Sequence, residues 1–241
     1  MLSRAMDYVA TAFAAPTPEA ASRAFYAALV PHGATYLQTR HYLRPAGTLT
    51  SAAHYAAGGV VTRIAPDDWP GSNAFNYICF EENPLLVPIR EGRTRYRFSD
   101  YAPHSNRSFG SYWEALAEAG IGDALCATSY GANRAIASVH LGFGKAGFEL
   151  EDVRAVSLAG LMLTEHLLSL NPEIAADPVR LTGRERDCLA FVAEGKSDWD
   201  ISVILGLSAA TVRFHVDNAR RKLDAVNRAQ AVAKMVNLRM I

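Results

Sequence analysis

Apolar residues recur at helical spacing near both ends of the chain, and alternate with polar ones over much of the middle. The first thirty residues predict helices broken at Ala15-Pro16-Thr17-Pro18-Glu19; the second opens at Pro18-Glu19 and runs through Ala24, Phe25, Ala28 and Leu29. Gly33 to Tyr42 and Leu49 to Tyr55 alternate as strands do, with loops at Ala57-Gly58-Gly59 and from Pro66 to Pro70. Phe75 to Glu82, with aromatics at Phe75, Tyr77 and Phe80, fits either a helix or a strand, and Arg95 to Tyr101 looks extended. Ser111 to Ala119 predicts a helix with Trp113, Leu116 and Ala117 on one face. Ala124 to Ser129 and Ala135 to Leu141 predict strands around the turn Gly131-Ala132-Asn133.

Glu149 to Leu170 predicts a long helix whose second half is apolar nearly all round, so both sides need cover, one from its own sheet and the other from a second subunit. Asn171 to Arg180 holds Pro172 and Pro178 without periodicity and is expected to be a linker. Beyond it the punctuation is dense. Thr182-Gly-Arg-Glu185 is a capping box, opening a helix that turns Cys188, Leu189 and Val192 inward and ends at Gly195. Ser197-Asp-Trp-Asp200 opens a short helix through Ile201 and Leu205, Gly206-Leu207 makes a tight turn, and Ser208 caps a third helix to about Leu223. Helix, turn and capped helix is the arrangement that lays its second helix in a DNA major groove.

On that third helix, a projection at about 100° per residue gathers Val212, Val216, Ala219 and Leu223 on the core side. The opposite arc presents Ala210, Arg213, Phe214, Asp217 and Arg221. Arg213 can donate two hydrogen bonds to a guanine edge, and Phe214 can pack on a thymine methyl. Asp217 either accepts from cytosine or, four residues from both Arg213 and Arg221, orients them as an intrahelical ion pair. Ser208, Lys196, Arg220 and Lys222 are placed for phosphates, which set register without reading sequence.

Composition sharpens this only slightly. The whole chain is formally neutral, yet from Leu181 onward ten Lys and Arg stand against seven Asp and Glu, leaving the remainder acidic by the same margin. Three scattered cysteines, Cys79, Cys126 and Cys188, suit neither a disulfide framework nor a zinc site, and point to a reducing cytoplasm. No apolar run reaches the roughly 18 residues of a membrane helix, and the N-terminus is unlike a secretory signal. No HExxH or GxSxG pattern appears, and no metal or catalytic residue is expected.

The C-terminal segments Leu181-Thr-Gly-Arg-Glu-Arg-Asp-Cys-Leu, Glu194-Gly-Lys-Ser-Asp-Trp-Asp-Ile and Leu205-Gly-Leu-Ser-Ala-Ala-Thr-Val-Arg-Phe-His-Val resemble the LuxR-type helix-turn-helix. So do Asn218-Ala-Arg-Arg-Lys-Leu and Asn227-Arg-Ala-Gln-Ala-Val, so that the resemblance covers almost all of 181–241. It implies that Arg213, Phe214 and Asp217 face bases, that the last helix, Asn227 to Arg239, helps dimerise the module, and that RNA polymerase is a further partner. A phosphorylated receiver domain would need five alternating strand-helix units, which the N-terminal pattern lacks. The order of elements over about 1–170 resembles instead the autoinducer-binding domain of quorum-sensing LuxR proteins. Pro66-Asp-Asp-Trp69 matches its Pro-x-x-Trp; Asn83-Pro84 stands for Asp-Pro, and Phe98 stands for a Trp.

The resemblance implies an α+β fold: an N-terminal α/β/α sandwich with an antiparallel sheet over 1–170, a linker over 171–180, and an all-α helix-turn-helix domain over 181–241. It also implies a pocket lined by Trp69, Asn83, Tyr77, Phe80, Phe98 and Trp113, with His140 as an added donor, for an acyl-homoserine lactone or a similar small amphipathic ligand. The family's Asp accepts a ligand amide N–H as a charged group; Asn83 accepts more weakly and adds a donor. A non-lactone ligand, or no ligand, is the alternative, and plain core packing is the other account of the aromatics. The expected protein is a homodimer reading an inverted-repeat operator in double-stranded DNA, and not an enzyme. Two rivals remain. Gly142, Gly144 and Gly147 spell GxGxxG before the long helix, as in a dinucleotide site, but no second parallel strand follows. The apolar long helix could alternatively serve a pure protein-interaction module.

Overall fold

The computed structural model describes residues 1–45, 48–131, 134–144, 150–170, 179–238 and 240. It divides into two compact units, the first built from Met1–Gly131 and Ala135–Ile174 and the second centred on Ala175–Ile241. Most of the expected linker, 171–178, lies outside the described residues, as do Ala132, Asn133, Glu149 and Arg239.

The first unit is built on a five-stranded sheet of order β2-β1-β5-β4-β3, antiparallel at every pairing. Its strands are β1 (Ala34–Leu43), β2 (Val60–Ile64), β3 (Arg95–Arg97), β4 (Asp123–Tyr130) and β5 (Ala135–Phe143). One face is covered by α1 (Leu2–Phe13), α2 (Pro18–Leu29) and the long helix Leu150–Ser169, which meets Leu37, Leu125, Val139 and Leu141 in one apolar cluster. Thr17 caps α2 by accepting from the Ala20 amide, which is why the chain turns helical again directly after the proline break. On the other face short helices bring Trp69, Phe75, Phe98, Tyr112 and Leu116 against Tyr36, Ile121 and Cys126 in a second, aromatic cluster. This is the α/β/α sandwich. Period-2 alternation sorts β1 between the layers: Leu37 joins the helical side, and Tyr36 joins the aromatic side.

Several local expectations change. Leu49 to Tyr55 is not a strand: Thr50 accepts from the Ala53 amide and caps a helix, α3 (Ser51–Ala56). The strand lies one element later, in β2, where pairing with β1 decides the conformation. Phe75 to Glu82 is helical, as α4 (Asn73–Asn76) followed by a π-helical turn over Tyr77–Glu81. Past α5 (Leu86–Arg90), only Arg95–Arg97 of the extended stretch is strand; Asp100 accepts from the Arg97 amide at 2.7 Å and opens the short helix α6 (Phe98–Tyr101). On α7 (Gly110–Ala117) the buried residues are Tyr112, Ala115 and Leu116, while Ala117 is exposed and Trp113 half-buried.

The glycine pattern also has a structural account. Gly142 sits inside β5, not in a loop, and a Cβ there would lie 2.8 Å from Ile121 Cγ1 and 2.9 Å from Tyr36 Cβ. Its bare backbone lets neighbouring side chains close over the strand. Gly147 lies outside the described residues, and the described sheet offers no parallel strand for a dinucleotide fold.

In the second unit four helices, Gly183–Ala193, Asp198–Leu205, Ala209–Lys222 and Arg228–Asn237, enclose Leu189, Ile201, Val212, Val216, Ala219 and Met235. Among the described residues no helix is long and apolar enough to cross a membrane.

Candidate functional sites: an exposed helix face and a cavity

The second unit is organised by its caps. Thr182 and Glu185 form a reciprocal capping box, Ser197 and Asp200 form another, and Ser208 accepts from the Thr211 amide. Gly195 and Gly206 take φ of 82° and 65°, the left-handed turns that end the first two helices. The third helix, Ala209–Lys222, buries Val212, Val216 and Ala219, with Leu223 buried just beyond its end. Ala210, Arg213, Phe214, Asp217 and Arg221 are all exposed on its other side, Phe214 at 59%.

The basic residues divide by partner. Arg213 Nε lies 3.3 Å from an Asp198 carboxylate oxygen, with its side chain 74% exposed, and Asp198 also accepts from Arg228 at 3.0 Å. Asp217 pairs with Arg220 at 3.6 Å, not with Arg213 or Arg221; Arg220 also donates to the Ala225 carbonyl. Arg221 instead donates to the Asn218 side chain and the Asp217 carbonyl. Lys222 is committed to Glu185 at 2.7 Å, which leaves Lys196 and Ser208 as the exposed groups of the phosphate-facing set without a carboxylate partner among the described residues.

The first unit holds a cavity of about 360 Å³ between the sheet and the aromatic layer. Of the expected lining residues, Trp69, Asn83, Phe98 and His140 are present. Tyr77, Phe80 and Trp113 are not: Phe80 is exposed and packs against Tyr55, and Trp113 donates its indole N–H to the Ala102 carbonyl at 3.0 Å and stacks on His104, away from the cavity. Trp69 also spends its N–H on protein, on the Ala115 carbonyl at 3.4 Å, and so offers the cavity its ring face. Phe98 stands edge-on to His140 with ring centroids 5.6 Å apart. Asn83 donates to the Cys79 carbonyl at 3.4 Å.

The polar wall was not foreseen. Tyr36, Gln38 and Arg40 of β1, His54 of α3 and Arg63 of β2 all line the cavity. Only the alternation of β1 hinted at them, because it puts Arg40 in phase with Tyr36. Burial, reinforced by the Arg40 charge, pushes His140 down to about 4 and His54 to about 3, so both are neutral imidazoles at neutral pH. Burial likewise holds the Tyr36 phenol above its usual range. Among the described residues no cluster of His, Cys, Asp or Glu is arranged to hold a metal.

The family model for bacterial regulatory proteins of the luxR family matches residues 179–235. The C-terminal unit is a LuxR-type helix-turn-helix domain. It is 55% identical over 56 residues to the transcriptional activator protein LuxR of Aliivibrio fischeri, covering 23% of this chain and 22% of that protein. The quorum-sensing regulator RhlR of Pseudomonas aeruginosa is 38% identical over 96 residues, covering 39% and 40%. The chain thus aligns with less than half the length of either relative. In fold, the solved structure of Escherichia coli SdiA superposes with a TM-score of 0.60 at 22% identity, covering 93% of this chain and 92% of that one. The α+β architecture therefore has the fold of that solved structure.

Proposed function

We propose that this protein is a sequence-specific, DNA-binding transcription regulator whose N-terminal unit, ending near residue 170, answers to a small amphipathic molecule in its cavity. One observation carries the DNA-binding reading: within a LuxR-type domain, Arg213 and Phe214 stand exposed on the helix face opposite a buried Val212, Val216 and Ala219. The ion pair with Asp198 aims the Arg213 guanidinium without covering it. The protein acts in the cytoplasm as a homodimer on an inverted-repeat operator, one recognition helix per half-site, with RNA polymerase as a further partner. Ligand in the cavity stabilises only the folded sensor, and so shifts the population competent to bind DNA. An acyl-homoserine lactone is the ligand class the resemblance points to. No step here is catalytic.

The test is selection of a DNA site from a random pool by the full-length protein, repeated with Arg213→Ala. The expected result is an inverted repeat with discrimination at one base pair per half-site, reduced by about 1–3 kcal/mol in the variant. An unchanged site preference in Arg213→Ala would overturn the assigned face.

A further inference from the structure

The cavity wall carries two guanidiniums and, among the described residues, no carboxylate. Register places His140 of β5 and Arg63 of β2 directly opposite Gln38 on either side of β1, so one polar row crosses three strands on the cavity face. Arg40, two residues along β1, adds a second guanidinium to the same face. Arg40 is only 5% exposed. Its Nε and Nη2 donate to the Gly58 carbonyl at 3.0 and 2.6 Å, Nη2 also donates to the His54 carbonyl at 2.9 Å, and Nη1 donates to His54 Nε2. These acceptors hold the fork in place but carry no negative charge. They also leave the His54 proton on Nδ1, which is buried without a hydrogen-bond partner. Arg63, half-buried, donates through Nε to Gln38 at 2.9 Å and lies over the Phe75 ring at 5.1 Å from its centroid.

Among the described residues, no Asp or Glu lines the cavity and neither arginine forms an ion pair. A guanidinium cannot discharge itself by losing its proton, and a buried charge without a counter-ion is costly. Asn83 adds no charge, and both histidines are neutral. The wall is therefore rich in donors and net positive, facing an apolar floor of Trp69, Phe75 and Phe98.

We infer that the cavity takes an amphipathic anion, with its carboxylate received by the Arg63 guanidinium, the fixed Arg40 charge reinforcing it from behind, and an apolar tail or ring laid on those three aromatics. This rests on the ligand-controlled reading above and narrows its ligand class. A guanidinium matches a carboxylate in geometry as well as charge, whereas a neutral amide head would meet a surplus of donors. The cavity volume suits a small ligand of this kind.

Two matched probe pairs test it by calorimetry on the full-length protein: ring-opened N-octanoyl-homoserine against its neutral lactone, and decanoate against methyl decanoate. The expected result is that the anion of each pair binds at least ~10-fold more tightly, and that Arg63→Gln markedly reduces the preference. The wild-type comparison stands by itself if the variant fails to fold. Equal or tighter binding of the neutral partners, or a preference undiminished in a folded Arg63→Gln, would overturn the anion assignment while leaving ligand control intact. No binding by any of the four probes would count against both, and the DNA-site selection is independent of either outcome.

Discussion

The ammonium of Lys222, at the end of the recognition helix, donates to the Glu185 carboxylate at 2.7 Å, and the same carboxylate oxygen accepts from the Thr182 amide at 2.7 Å. One side chain thus closes the capping box of the first helix of the LuxR-type domain and clamps the far end of the third. The pairing gives Lys222 a structural task.

Burial raises the Glu185 pKa, but the Lys222 bond and the Thr182 amide outweigh it and hold the carboxyl below 4.5. Protons then bind the unfolded chain more readily, so the clamp stabilises fully above about pH 4.5 and is lost as pH falls through the lower folded value. Glu185→Gln is expected to cost about 1 kcal/mol and to flatten this acid dependence. Hydrogen exchange at the amides of Gly183–Ala193, followed against pH, checks both effects; protection equal to wild type would remove the clamp from the account.

The cavity unit carries the opposite kind of group. His140 is neutral in the folded state down to about pH 4, against 6.5 for a free imidazole. Its unfolded form binds the proton first, so stability is complete above about pH 6.5 and declines as pH drops toward 4. His140→Gln is expected to soften that decline in a melting series across the same range. A pH profile superimposable on wild type would place the acid sensitivity elsewhere.

Gly142→Ala is expected to destabilise the sandwich by roughly 1–3 kcal/mol, because its Cβ would press on Ile121 and Tyr36, which both line the cavity. Thermal melting reads the loss, and ligand affinity should fall with it as those two side chains shift. An unaltered melting temperature would show that the strand has room to spare.

The LuxR-type module was legible because its determinants are local. Ser197 and Asp200, or Ser208 and Thr211, sit within one helical turn of each other, and Gly206 needs only its own φ. Helical phase alone separated buried Val212 and Val216 from exposed Arg213 and Phe214. The same logic failed for Leu49 to Tyr55, where a six-residue helix is too short for periodicity to outvote alternation and only the Thr50 cap betrayed it. It failed again for β2, whose residues are strand because β1 offers them a ladder.

Chain order and spacing therefore determined the two-part organisation, the LuxR-type domain and the side chains it exposes, since a helix settles its caps and faces within a few residues. The chemistry of the cavity was decided by tertiary structure. Arg40, Arg63 and His140 are far apart in sequence, and only the antiparallel register around Gln38 sets them on one wall. What makes that wall distinctive is its two guanidiniums with no carboxylate among the described lining residues, a feature that exists only once the strands are paired.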